Sequence, residues 1–393
     1  MIRTAPLGPV RLLVLQSTPF CNIDCTYCYL PDRRNKAKLP TQVVEALARK
    51  LVAENMLDEK VELCWHAGEP LAVPVAEYEQ LIAAFERGLE GAARVEYSLQ
   101  TNATLISDDW CRFFKRFGVR VGVSLDGPRA VHDKCRIDRR GKGTFERVMR
   151  GIQLLKGHGV PTYVIGVLHR DSLRIPDEMF AFFQSLGVSD ICFNLEEVEG
   201  SNSSSSLNYT TARADVAAFF RRYFELIAST PGAHWLREFS YTLRRLCAKT
   251  IHNPQVTPYE MLTMDYRGDY STFSPELIGA RATAYGSLIL GNVLNQDETF
   301  ATSLNRAKWV LDVHAGVEHC RSTCRYFDVC GGGAPSNKVA ETGTFASAET
   351  NHCVLSIQTL INAMLGCLAD RQSIRNAALG ARAPEANFGD LRP

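Results

Sequence analysis

Six apolar, β-branched runs alternate with amphipathic stretches between residues 10 and 230, and this alternation restricts the fold more than any other feature. The runs are Val10–Gln16, Val61–His66, Val95–Gln100, Val119–Leu125, Thr162–Leu168 and Asp190–Leu195. Their composition suits strands covered on both faces. Thr41–Met56, Pro74–Glu90, Ser107–Phe117, Thr144–His158, Ile175–Leu186 and Thr210–Ser229 carry apolar residues at helical spacing. Thr41, Ser107 and Thr144 stand where N-terminal caps belong. Strands that alternate with helices pair in parallel through right-handed crossovers. Two architectures satisfy this pattern: an open doubly wound sheet, or a partly closed barrel.

The polar residues choose between them. The first strand leads into a cysteine loop, the second into His66-Ala67-Gly68-Glu69-Pro70, and the third into Gln100-Thr101-Asn102. The fourth leads into Ser124-Leu125-Asp126-Gly127-Pro128, the fifth into His169, and the sixth into Asn194, Glu196 and Glu197. Chemistry collected after every strand marks the mouth of a β/α barrel. A dinucleotide-binding sheet loads its first crossover and shows a G-x-G-x-x-G turn, and none follows the first strand here. The expected fold is α/β, a partial (β/α)6 TIM-like barrel over residues 1–230. A smaller domain follows over 231–370, less regular and rich in aromatics as far as residue 319, with a helix around Ser356–Leu368. The tail over 371–393 is expected to be poorly ordered.

Cys21, Cys25 and Cys28 form a C-x3-C-x2-C run with no fourth cysteine nearby. A cubic iron–sulfur cluster takes four thiolates, so three on one loop leave one iron open to a ligand. Zinc knuckles pair C-x2-C units or add histidines. With Tyr27 before the third cysteine, the run resembles the C-x3-C-x-aromatic-C signature of the radical S-adenosylmethionine (SAM) enzymes. The resemblance implies a radical SAM barrel with a [4Fe-4S] cluster on Cys21, Cys25 and Cys28. It also implies SAM bound at the open iron and cleaved to a 5′-deoxyadenosyl radical, and an external electron donor of flavodoxin or ferredoxin type.

The same resemblance assigns further SAM contacts. Gly68-Glu69-Pro70 matches the family's G-G-E-P motif, with Ala67 in place of the first glycine; taken alone it reads as an ordinary β–α turn. Asn102, Ser124 and Asp126 fall where the family touches the ribose and carboxylate of SAM. Arg136 matches an arginine that pairs with the carboxylate, though beside Arg139 and Arg140 it reads equally as a solvated arginine. Leu195 lies against the adenine or is plain core.

A second group, Cys320, Cys324, Cys330 and Cys353, offers four thiolates and no open site. It resembles the SPASM extension of peptide-modifying radical SAM enzymes, with zinc as the competing metal. A full SPASM domain holds two auxiliary clusters. This chain has Phe273 and Ala334 at two ligand positions of one of them, so one auxiliary [4Fe-4S] cluster is expected. Phe193–Gly200, Cys324–Lys338 and Thr344–Thr350 resemble the cyclophane-forming, Grr-type maturases.

That group's chemistry implies a precursor-peptide substrate. A hydrogen atom leaves a side-chain β-carbon, which then bonds to an aromatic ring carbon; the ring finally loses a proton and an electron. Asp269 and Glu196 are the candidate bases, with Glu197 and Asp265 behind them. About nine residues precede the first strand, leaving no room for a fused leader-recognition domain. Rival readings are a sulfatase-type maturase that makes formylglycine, and a non-catalytic metal-binding scaffold. A net charge of +1 offers no field for nucleic acid, and no run is long enough to span a membrane. Thirteen cysteines without a secretion signal point to a reduced, cytoplasmic protein.

Overall fold

The computed structural model describes residues 7–248 and 251–369; the tail at 371–393 lies outside the described residues. The first half runs β1 (Val10–Leu15), α1 (Thr41–Ala53), β2 (Leu57–Trp65), α2 (Val75–Leu89), β3 (Arg94–Thr101), α3 (Asp108–Phe117) and β4 (Arg120–Ser124). It continues through α4 (Arg129–Cys135), α5 (Phe145–Gly157), β5 (Thr162–Leu168), α6 (Pro176–Leu186), β6 (Asp190–Leu195) and α7 (Tyr209–Ser229). β1 to β6 pair in sequence order and in parallel, as expected for the barrel wall. β1 and β6 do not pair with each other; the sheet instead extends past both.

β7 (Trp235–Leu236) adds beside β6 and is followed by α8 (Arg237–Cys247). On the other side β8 (Met261–Met264) pairs in parallel with β1, and β9 (Asp269–Thr272) folds back antiparallel on β8. A small hairpin of β10 (Arg281–Ala282) and β11 (Gly286–Ser287) precedes β12 (Gly291–Asn292), which pairs with β9. The sheet therefore runs across residue 230. The segment expected to be least regular supplies strands, because Asp265 accepts from the backbone N–H of Arg267 (2.8 Å) and Asp269 (3.1 Å) and closes a tight turn. The chain ends in α9 (Phe300–Arg306), α10 (Trp309–Thr323), α11 (Phe327–Cys330), α12 (Pro335–Thr342), a π-helical turn over Cys353–Thr359, and α13 (Leu360–Ala369).

The core sits between the sheet and its helices. Trp65, Tyr78, Trp110 and Phe113 meet edge-on, with centroids 5.0 to 6.0 Å apart, a favoured aromatic geometry. Of the three expected caps, only Ser107 acts as one, accepting from Trp110 N (3.4 Å). Thr41 falls inside the first turn after Pro40. Thr144 instead donates to Arg136 O (2.9 Å). α4 was not expected from sequence: its seven residues are too few to show a period, and Pro128 opens it.

Candidate functional site

The loop after β1 is clamped to the segment after α4. Asp24 N donates to Ile137 O (2.7 Å) and Thr26 N to Cys135 O (3.0 Å). The Arg139 guanidinium donates to Cys21 O at 2.6 and 3.1 Å. Arg139 read from sequence as part of a solvated basic loop; here it holds the cysteine loop shut. Cys21 and Cys25 are buried and Cys28 half-buried. Burial pushes the Cys21 thiol up to about 12, and that of Cys25 likewise, where Arg136 opposes the shift.

The turn after β2 braces the same loop. Glu69 N donates to Phe20 O (2.7 Å), and Ala67 and Gly68 both hold φ of +69°. A Cβ on Gly68 would lie 2.2 Å from Thr18 O and 2.9 Å from Phe20 O. Only glycine lets these two backbones approach so closely.

Cys21, Cys25, Cys28, Gly68 and Arg136 line one cavity of about 590 Å³ inside the barrel mouth. Tyr27, Asn102, Ser124, Leu195 and Glu196 also stand on its walls. Asn102 Nδ2 stands 3.7 Å from Cys21 Sγ, and Ser124 Oγ accepts from Gln100 Nε2 (2.9 Å). Glu196 accepts from Ser206 N (2.8 Å).

Three expected residues stand elsewhere. Asp126 is fully buried behind the wall, accepting from Arg136 Nε (2.9 Å), Val167 N (2.9 Å) and the Tyr27 hydroxyl. It supports Arg136 and Tyr27 rather than facing the cavity. Glu69 turns inward and accepts from Leu71 N (2.9 Å), Thr101 Oγ1 (2.6 Å) and Asn102 N (2.8 Å). Burial pushes its carboxyl up to about 7 against those three bonds. Asp269 lies at the β8–β9 turn, held by Arg267 (3.2 Å) and Asn292 (2.8 Å) and away from the cavity wall. Sequence reasoning placed it by loop proximity, which a tight turn does not preserve.

The structure instead brings Glu199, Glu276 and His352 to the wall beside Glu197. Glu197 pairs with His352 Nδ1 (2.8 Å) and accepts from Asn337 Nδ2 (2.7 Å). Burial works against its charge, but these partners outweigh it and hold the carboxyl below the usual range. Glu199 and Glu276 are pushed the other way. Burial comes first for both, and the charge of neighbouring carboxylates adds to it. The sequence signalled only Glu199, through a run of acids directly after a buried strand.

Cys320, Cys324, Cys330 and Cys353 line a second cavity of about 200 Å³. Cys330, Gly333, Cys353 and Ile357 face both cavities, so the two share a wall. Phe273 is fully buried, packs edge-on against Trp309 with centroids 5.9 Å apart, and holds φ of +75°. Among the described residues no three His, Cys, Asp or Glu side chains converge on a single-ion position. A four-iron cluster takes each thiolate at a different iron and asks for a wider spread. Each donor set consists of thiols that line one cavity, which fits clusters.

The model of the radical SAM superfamily matches residues 15–183. An uncharacterized protein of Synechocystis sp. is 39% identical over 376 residues, 92% of this chain and 93% of its own length. A serine-type anaerobic sulfatase-maturating enzyme of Bacteroides thetaiotaomicron is 33% identical over 47% of this chain and 46% of its own. The solved structure of anSMEcpe with bound AdoMet superposes with a TM-score of 0.75 at 20% identity, covering 96% of this chain and 97% of that one. Streptococcus suis SuiB bound to precursor peptide SuiA gives 0.57 at 16% identity, over 88% and 76%. Residues 15–183 therefore carry a radical SAM domain. The partial α/β barrel is a radical SAM fold shared with anSMEcpe and SuiB, the chain is similar to anaerobic sulfatase-maturating enzymes over about half its length, and the radical SAM domain implies a [4Fe-4S] cluster and SAM.

Proposed function

We propose that this enzyme crosslinks a ribosomally made precursor peptide, joining a side-chain β-carbon to an aromatic ring carbon. The observation that carries the reading is the shared wall: one cavity touches the Cys21–Cys28 loop, a group of half-buried carboxylates and Cys330 with Cys353. When bound, a cluster at the first set with SAM supplies the 5′-deoxyadenosyl radical, and a cluster at the second set supplies an electron acceptor. The β-carbon gives up one hydrogen atom, and the ring gives up one proton and one electron, so the peptide ends two hydrogens lighter. Phe273 supports a single auxiliary cluster, because its ring fills core space where a second cluster would need a thiolate. Reducing equivalents come from a flavodoxin or ferredoxin type donor. Among the described residues no helix is long and apolar enough to cross a membrane.

The proton needs a base on the cavity wall. Glu199 and Glu276 line it, and burial raises the carboxyls of both, with neighbouring carboxylates adding to the shift, so either is a stronger base than an exposed carboxylate. Glu199→Gln and Glu276→Gln are each expected to slow crosslinking by about 100-fold, a usual general-base contribution, with 5′-deoxyadenosine release retained. Glu196→Gln is the third arm. A variant that crosslinks at the normal rate removes its residue from the role.

Formylglycine formation is the second reading, favoured by the named relatives. The peptide encoded beside this gene, co-expressed and analysed by mass spectrometry, separates the two. Serine oxidation also removes two hydrogens, so mass alone is insufficient. The crosslink predicts missing backbone fragments between the joined residues and no reaction with hydroxylamine. An oxime adduct would establish the aldehyde and overturn the crosslink.

A further inference from the structure

Lys338 lies on α12 and is only 3% exposed. Its Nζ donates to Gly316 O (2.9 Å) and stands 3.4 Å from Cys320 Sγ. Among the described residues no carboxylate shares its charge. A lysine so deeply buried ordinarily has an anionic partner, since an isolated ammonium in the interior is costly. Here an atom able to carry negative charge, the Cys320 sulfur, stands in contact with Nζ. The backbone is shaped for this approach: Gly316 leaves its carbonyl open to Nζ, and a Cβ there would sit 3.1 Å from Nζ and 2.1 Å from Phe345 O. A second N–H, Gln358 Nε2, stands 3.5 Å from Cys353 Sγ.

The first thiol set is different. Arg136 Nη1 stands 3.9 Å from Cys25 Sγ, but Asp126 at 2.9 Å from Nε takes up its charge. Cluster potentials follow net charge and hydrogen bonds to sulfur. An uncompensated ammonium favours the more negative, reduced state, and a guanidinium already paired to a carboxylate favours it far less.

We propose that Lys338 is a positioning residue for the auxiliary cluster, raising its reduction potential above that of the SAM-binding cluster so that it takes the electron released by the substrate. The proposal rests on the reading that Cys320, Cys324, Cys330 and Cys353 hold a cluster. The couple is one-electron: the oxidised cluster gains the electron that the substrate radical loses, and the proton leaves separately to the carboxylate wall.

The test uses the full chain with Cys21, Cys25 and Cys28 replaced by alanine, so that only the second site can load. About four irons per chain are expected, the content of one cubane; no iron would overturn the cluster reading itself, apart from the role of Lys338. Potentiometric EPR titration is then compared with and without Lys338→Met. Loss of the charge is expected to weaken reduction at least tenfold, a fall of about 59 mV or more for one electron, and Lys338→Arg should restore most of it. An unchanged potential at full iron content overturns the proposal. If Lys338→Met fails to hold the cluster, the chain with Lys338 intact and ¹⁵N-lysine label decides: a ¹⁵N hyperfine coupling on the reduced cluster supports the contact, and its absence overturns it.

Discussion

Gly68→Ala is expected to cut SAM cleavage by at least 100-fold, measured as 5′-deoxyadenosine released by the reduced protein. The added methyl would lie 2.2 Å from Thr18 O, with Pro19 and Phe20 backbone atoms at 3.0 and 2.9 Å. These are main-chain atoms, so no side chain can swing aside. The φ of +69° adds strain of about 1–2 kcal/mol for any residue with a Cβ. The chain has one way to relieve the clash: to move residues 18–20 away from the β2 turn. Those residues run directly into Cys21, and Glu69 N holds Phe20 O at 2.7 Å. A displacement of about 1 Å at a reacting centre costs on the order of 100-fold in rate. Iron content separates the possible faults. Retained iron with lost cleavage places the damage in SAM positioning, and lost iron places it in the loop. Unimpaired cleavage would remove the close approach from the account.

How much of this was visible beforehand follows from length scale. The barrel strands were visible because each is a buried run, and the boundaries of Thr162–Leu168 and Asp190–Leu195 agree residue for residue. The thiol sets were visible because spacing along one loop is a local property. Asp126 was not, because sequence shows that a carboxylate follows a strand and not which way it turns. Its partners Tyr27, Arg136 and Val167 lie on three other segments. Glu276 and His352 reach the wall from segments about 80 and 155 positions beyond Glu197, the first just after β9 in the extension of the sheet past β1, the second at the start of the π-helical turn that packs against α7 and β6. Lys338 was hidden for the same reason. On the surface of a short helix it would be unremarkable, and only burial against α10 gives it meaning.

Arg136→Met is expected to lower unfolding stability by about 3–5 kcal/mol, the usual cost of removing one partner from a buried pair. Asp126 is fully buried and the Arg136 side chain only 10% exposed, so water cannot replace the lost charge. Asp126 keeps two donors, Val167 N and the Tyr27 hydroxyl, but neither neutralises a carboxylate. Tyr27 feels the change directly, since the guanidinium also sits 5.5 Å from its ring centre. Asp126→Asn removes the other charge and strands Arg136, whose wall position brings it within reach of cavity water. It should therefore cost less than Arg136→Met. In the double variant neither charge remains, so its loss should fall short of the sum of the single losses by about 2 kcal/mol or more, within the coupling range for contacting residues. Urea denaturation of the four proteins at equal iron content measures each term. Additive losses would mean that the two side chains act separately, and Asp126 would then have to be explained as a ligand contact after all. The expected coupling makes it the anchor that fixes Arg136 beside Cys25, where the guanidinium meets whatever anion enters the cavity.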